Sequence, residues 1–157
     1  MKKLSVLLCA VLTMALFASC GQKAPATDAN LEGTLPEIME KLYDGVKSEL
    51  PAVVDREITP EMSVNDLGVE STEYKEALAS EAMINAVAHS VCLVRANSAE
   101  DAEALAKTIK EKANPRKWIC VEAEKVAVER IGDVVLLIMS YEDATDEIQA
   151  KFLALAK

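Results

Sequence analysis

Apolar residues recur between positions 35 and 50 at the spacing of one helical face: Leu35, Ile38, Met39, Leu42, Val46 and Leu50. The period is near 3.6, not 2, so the stretch predicts an amphipathic helix with that stripe turned to a core. Thr34 and Glu37 stand at capping-box separation, Pro36 suits a first turn, and Pro51 ends the run. Residues 52–72 are patterned weakly. Within them Thr59-Pro60-Glu61 predicts a short helical turn ending near Gly68. From Glu73 to Ala96 two signals conflict. Alanine-rich Glu73–Ser90 reads as helix on propensity, whereas Val91-Cys92-Leu93-Val94 is a β-prone run bounded by Asn97-Ser98.

The rest of the chain is clearer. Ser98 opens a helix with Asp101 at the reciprocal capping position and Ala102, Leu105, Ala106, Ile109 and Ala113 on one face, closed by Asn114-Pro115. Val126–Ile131 and Val134–Met139 flank Gly132-Asp133, a short turn that lets two strands pair as a hairpin. A final helix begins at Asp143, with Asp146 and Glu147 in its positively polarised first turn and Ile148, Phe152 and Leu155 on its apolar face.

The start of the chain has a different character. Met1-Lys2-Lys3 is basic, and Leu4–Leu16 follows without a charge. That run is too short to span a bilayer but suits the apolar region of a signal peptide. It leads into Leu16-Phe17-Ala18-Ser19-Cys20-Gly21, which resembles the lipobox of bacterial lipoproteins, with small residues at the two positions before the cysteine. Phe17 departs from the smaller aliphatic residue usual there. The resemblance implies that residues 1–19 are a removable signal peptide. It also implies that Cys20 carries a diacylglyceryl group and that its freed amine takes a further acyl chain such as palmitate. Two or more chains anchor stably where one binds marginally. The expected location is the extracytoplasmic face of the cell membrane. Residues 20–33 are then the lipidated cysteine and a flexible tether, whose small polar stretch 21–33 reaches about 20 Å. Residues 34–157 form a single α+β domain.

From Met62 to the C-terminus the order of features resembles a group of small lipoproteins from Gram-positive anaerobes that share a C-terminal domain of unknown function. The matching features are Ala82-Met83-Ile84-Asn85, the β-prone run ending in Val94-Arg95-Ala96, the Ser98–Ala113 helix, Ile131-Gly132-Asp133-Val134-Val135, Ser140 and a short closing helix. The resemblance implies that residues 73–96 form a strand pair, against raw propensity. The expected architecture is an N-terminal helix followed by hairpin, helix, hairpin and helix, giving a four-stranded antiparallel sheet with helices on one face. It implies no catalytic residue.

Charge narrows the partners. The formal net charge is −9, and loss of Lys2 and Lys3 with the signal peptide makes it −11. Such a chain repels nucleic-acid phosphates. The expected partners are the membrane, through lipid on Cys20, and an envelope protein or wall component. With Cys9 removed and Cys20 lipidated, Cys92 and Cys120 remain. Each stands among apolar neighbours, which predicts buried free thiols in preference to a disulfide. His89 is the only histidine. Its neighbour Ser90 would face the opposite side of a strand, so a packed histidine is expected rather than a catalytic one. Glu70-Glu73-Glu76 and Glu142-Asp143-Asp146-Glu147 lack the ligand order and central glycine of a calcium loop, and no zinc or phosphate-loop spacing occurs. Trp118, beside Arg116 and Lys117, reads as an exposed contact or an edge-of-core side chain. No catalytic, cofactor-binding or metal-ligating residue is therefore assigned. The expected function is a non-enzymatic binding module at the cell envelope. The alternative is a carboxylate-dependent enzyme or accessory acting on wall polymers through Glu70, Glu73 or Glu122.

Overall fold

The computed structural model describes residues 30–156. The signal peptide, the Cys20 lipidation site and the tether as far as Ala29 lie outside the described residues. The element order is α1 (Leu35–Tyr43), β1 (Val53–Glu57), α2 (Pro60–Leu67), a 3-10 turn (Ser71–Glu73), β2 (Glu76–Ala82), β3 (Ser90–Arg95), α3 (Ala99–Lys112), β4 (Lys125–Ile131), β5 (Val134–Ser140) and α4 (Glu142–Ala154). The chain is thus α+β, with one antiparallel five-stranded sheet in the order β1-β2-β3-β5-β4. Among the described residues no helix is long and apolar enough to cross a membrane.

Two expectations about the sheet are corrected. It has five strands, because Val53–Glu57 pairs along the outer side of β2. Helices cover both faces, not one. Strand residues alternate sides, so Val91 and Leu93 join Leu136 and Ile138 beneath α1 and α4. Cys92 and Val94 join Val135, Leu137 and Met139 beneath α3. All of β5 is buried, and a continuous apolar run such as VVLLIM is stable only where both faces are covered.

Helix α1 has the Thr34–Glu37 capping box, but it stops at Tyr43 rather than Leu50. Gly45, at φ +66°, turns the chain left-handed, and Val46 and Leu50 pack on the core from a loop. Helix α2 ends at Gly68 and α3 starts from Ser98, as their signals imply. Residues 76–95 form the strand pair despite their alanine content. Ala77 and Ala79 lie buried in the core beneath α3, so tertiary packing overrides helix propensity here. Helix α4 begins one residue before Asp143, with Glu142 and Asp143 in its first turn. Asp146, past that turn, is 2.6 Å from Lys125 instead of serving the helix dipole.

The register gives the sheet two distinct ends. At one, which we term the tether end, Arg95 donates to the carbonyls of Leu31 (3.4 Å) and Gly33 (2.7 Å) and to Asp133 (3.1 Å), and it pairs with Glu76 (2.9 Å). The N-terminal segment therefore joins the domain there. At the other end lie the starts of β1 and β4, the β2–β3 turn, the loop after α3 and the first turn of α4. A seven-residue strand such as β5 separates the two ends by about 20 Å.

Candidate functional site at the end opposite the tether

A cleft of about 460 Å³ opens at the far end. Ser48, Glu49, Leu50 and Pro51 form one wall, Val87 comes from the β2–β3 turn, Glu124 precedes β4, and Tyr141, Asp143 and Ala144 belong to the start of α4. Glu147 holds the first wall in place. Its carboxylate accepts the Lys47 N–H (2.9 Å), the Ser48 N–H (3.0 Å) and the Ser48 hydroxyl (2.8 Å). Those donors, the Lys47 N–H foremost, keep the Glu147 carboxyl below its ordinary pKa. Lys151 adds a hydrogen bond to the Asp44 carbonyl. Glu124 accepts the Glu142 N–H (3.2 Å), satisfying one of the open donors at the α4 N-terminus.

The cleft lining is acidic and apolar, with carboxylates from Glu49, Glu124 and Asp143 and neither lysine nor arginine. Several large exposed apolar side chains share this end of the sheet. Of eight among the described residues, Val54, Met83, Ile84, Ile119, Val126 and Tyr141 stand on strands, turns and loops at this end, and Met62 and Val64 stand on α2. Met83 and Ile84 are 66% and 59% exposed, and Ile119 reaches 93%.

Two buried polar clusters flank this end inside the domain. On the α1 and α4 side, His89 is fully buried, with Nε2 2.9 Å from the Tyr43 hydroxyl and Nδ1 2.7 Å from Ser140 Oγ. Burial pushes its pKa down to about 4, so the ring is neutral, and burial raises that of Tyr43. A serine beside a neutral imidazole invites comparison with a nucleophile–base pair. Here both are sealed from solvent, and the imidazole's other partner is a tyrosine hydroxyl, not a carboxylate. On the α3 side, Lys117 Nζ lies 2.7 Å from Glu81, 3.0 Å from Ser90 Oγ and 3.5 Å from Asp66. Arg56 pairs with Asp66 at 2.7 Å. Burial disfavours the Lys117 ammonium, yet Cys92, Glu81 and Asp66 outweigh it and hold its pKa above the ordinary lysine value. Lys117 is thus a charged structural anchor for the loop after α3, unsuited to act as a neutral amine nucleophile.

Glu70 and Glu73 stand together in a reciprocal cap, but Glu122 does not join them. Glu73 accepts the Glu70 N–H at the tether end, whereas Glu122 pairs with Arg116 (3.6 Å) in the loop before β4 at the far end. They cannot flank one scissile bond across about 20 Å of sheet. His89 and Ser90 face opposite sides, as alternation requires. Cys92 and Cys120 are free thiols, but only Cys92 is buried; Cys120 is exposed, against expectation, on an irregular loop with no strand to turn it inward. Trp118 is an edge-of-core side chain with Lys117 Nζ 5.3 Å from its ring. Among the described residues no group of histidine, cysteine, aspartate and glutamate side chains is placed to hold a metal ion. The cleft escaped sequence reading because four separate segments build it. Its nearest sequence signal is the exposed apolar pair Met83-Ile84 in the turn that also supplies Val87.

Comparison of the chain with protein families, with curated proteins and with solved structures gives no match.

Proposed function

We propose that the chain is a lipid-anchored extracytoplasmic lipoprotein, akin to the small Gram-positive group it resembles, and that it acts as a non-enzymatic binding module at the cell envelope. One observation carries this reading. An open cleft and six exposed apolar side chains lie at the sheet end opposite the segment leading back to Cys20. Exposed apolar side chains grouped at one end of a domain suit an interaction site. A tether of about 20 Å would hold such a surface away from the lipid and facing outward. The side chains with catalytic chemistry support the reading too, since His89, Ser140, Cys92 and Lys117 are spent on internal contacts.

The test has two arms on intact cells. Radiolabelled palmitate is expected in the wild-type protein and not in Cys20→Ala, which should leave the membrane fraction. A photo-cross-linker placed at Met83 is expected to capture a discrete partner that one placed on the exposed face of α3 at Glu103 does not. Palmitate labelling of Cys20→Ala, or equal capture from both positions, would overturn the reading.

A further inference from the structure

We infer that the partner presents a basic, apolar peptide segment to the far-end cleft, an inference that rests on the binding-module reading above. The first argument is charge complementarity. Glu49, Glu124 and Asp143 line the cleft without a counter-cation among its lining residues. Glu124 accepts the α4 N–H and Asp143 complements the α4 dipole from its first turn, but the Glu49 and Asp143 carboxylates make neither hydrogen bond nor ion pair within the described residues. Two free carboxylates in an open cleft of a strongly acidic chain favour a lysine or arginine side chain and repel anionic wall polymers.

The second argument is the apolar rim. Leu50, Val87 and Tyr141 line the same cleft, and the turn that supplies Val87 also exposes Met83 and Ile84. The Val87 N–H bonds the Ile84 carbonyl (3.3 Å), so this rim is one folded turn rather than a set of independent side chains. A small free amine would neutralise the carboxylates but leave the rim in water. A peptide with a cationic side chain between apolar ones covers both. Tyr141, 41% exposed at the mouth, is the natural anchor, since tyrosine gives large contact area and stacks against a lysine or arginine stem.

Fluorescence anisotropy on the full chain in detergent tests this with short labelled peptides at physiological salt. A leucine–lysine alternating peptide is the probe; glycine–lysine and leucine–glutamate peptides of equal length are its controls. The leucine–lysine peptide is expected to bind, the glycine–lysine peptide more weakly, and the leucine–glutamate peptide not at all. Glu49→Gln with Asp143→Asn should weaken leucine–lysine binding by about tenfold. Glu100→Gln with Glu103→Gln, an equal charge change on exposed α3, should leave it nearly unchanged. Tyr141→Ala should weaken leucine–lysine binding more than glycine–lysine binding. Equal weakening by the two charge-changed pairs would mean diffuse acidity, and equal binding of leucine–lysine and leucine–glutamate peptides would mean an apolar site without charge selection. Either result, or no binding, overturns the inference. Because this assay does not depend on the anchor, a partner captured at Met83 but insensitive to the cleft variants would sink the basic-peptide inference and leave the binding-module reading standing.

Discussion

Replacing Lys117 by methionine keeps the length and apolar stem of the side chain and removes only its charge. The lysine side chain is 4% exposed and serves Glu81 at 2.7 Å and Asp66 at 3.5 Å, whose own side chains are 14% and 2% exposed. Without it those two carboxylates share the Arg56 guanidinium, 2.7 Å from Asp66 but 3.6 Å from Glu81 and itself 31% exposed. Breaking a buried ion pair from one side costs about 3–5 kcal/mol, because a charge stays buried without its partner. Arg56 remains and Glu81 is partly wet, so the low end, about 3 kcal/mol, is expected. That is a large fraction of the total stability of a domain this size. Urea unfolding followed by far-UV circular dichroism and by Trp118, the only tryptophan, gives the number. Lys125→Met, which removes exposed pairs to Asp146 and Glu142, is the control and should cost under about 1 kcal/mol. Combining Lys117→Met with Glu81→Gln should recover more than about 1 kcal/mol relative to the sum of the single changes. A Lys117→Met cost no greater than that of Lys125→Met, or strict additivity with Glu81→Gln, would refute the buried network as a stabilising unit. The pH dependence has a fixed sign. The folded pKa of Lys117 is raised above 10.5, so its contribution is complete below that value and is lost as pH climbs through the higher folded pKa.

His89 acts in the opposite pH range: its folded pKa of about 4 lies below the ordinary 6.5, so stability should fall as pH drops between those values, by up to about 3 kcal/mol. Thermal melts across that range are expected to show a steeper slope for the wild type than for His89→Gln; parallel slopes would contradict it. Gly68→Ala should destabilise more than Gly45→Ala. Both glycines have positive φ, but a Cβ at Gly68 would meet the Lys112 backbone oxygen at 2.7 Å, whereas at Gly45 the nearest atom is Lys151 Nζ at 3.9 Å. Equal urea midpoints for the two variants would refute the steric argument. In the native protein a maleimide should label Cys120 within minutes. Cys92, fully buried and with its thiol pushed up to about 11, should react only on unfolding. Mass spectrometry with and without urea reads this directly.

Local chemistry made much of the fold legible. Capping at Thr34 and Ser98, the Gly68 stop, the Gly132-Asp133 turn and the helical stripe from Leu35 to Leu42 act within a few residues of themselves, so the chain specifies them without help. Only tertiary structure decided three other matters. Glu76–Ala82 is a strand because its small alanines fit between β1, β3 and the layer under α3, a context that composition alone contradicts. β1 has just two apolar residues and exists because β2 offers it an edge. Helices cover both faces because β5 is apolar at every position to Met139; that run was visible in the sequence, but which helices close each side depends on crossings between distant segments. The cleft belongs to this second kind. Glu49, Val87, Glu124 and Tyr141 have no common pattern along the chain, and they meet only because antiparallel pairing returns loop after loop to the end of the sheet away from the tether.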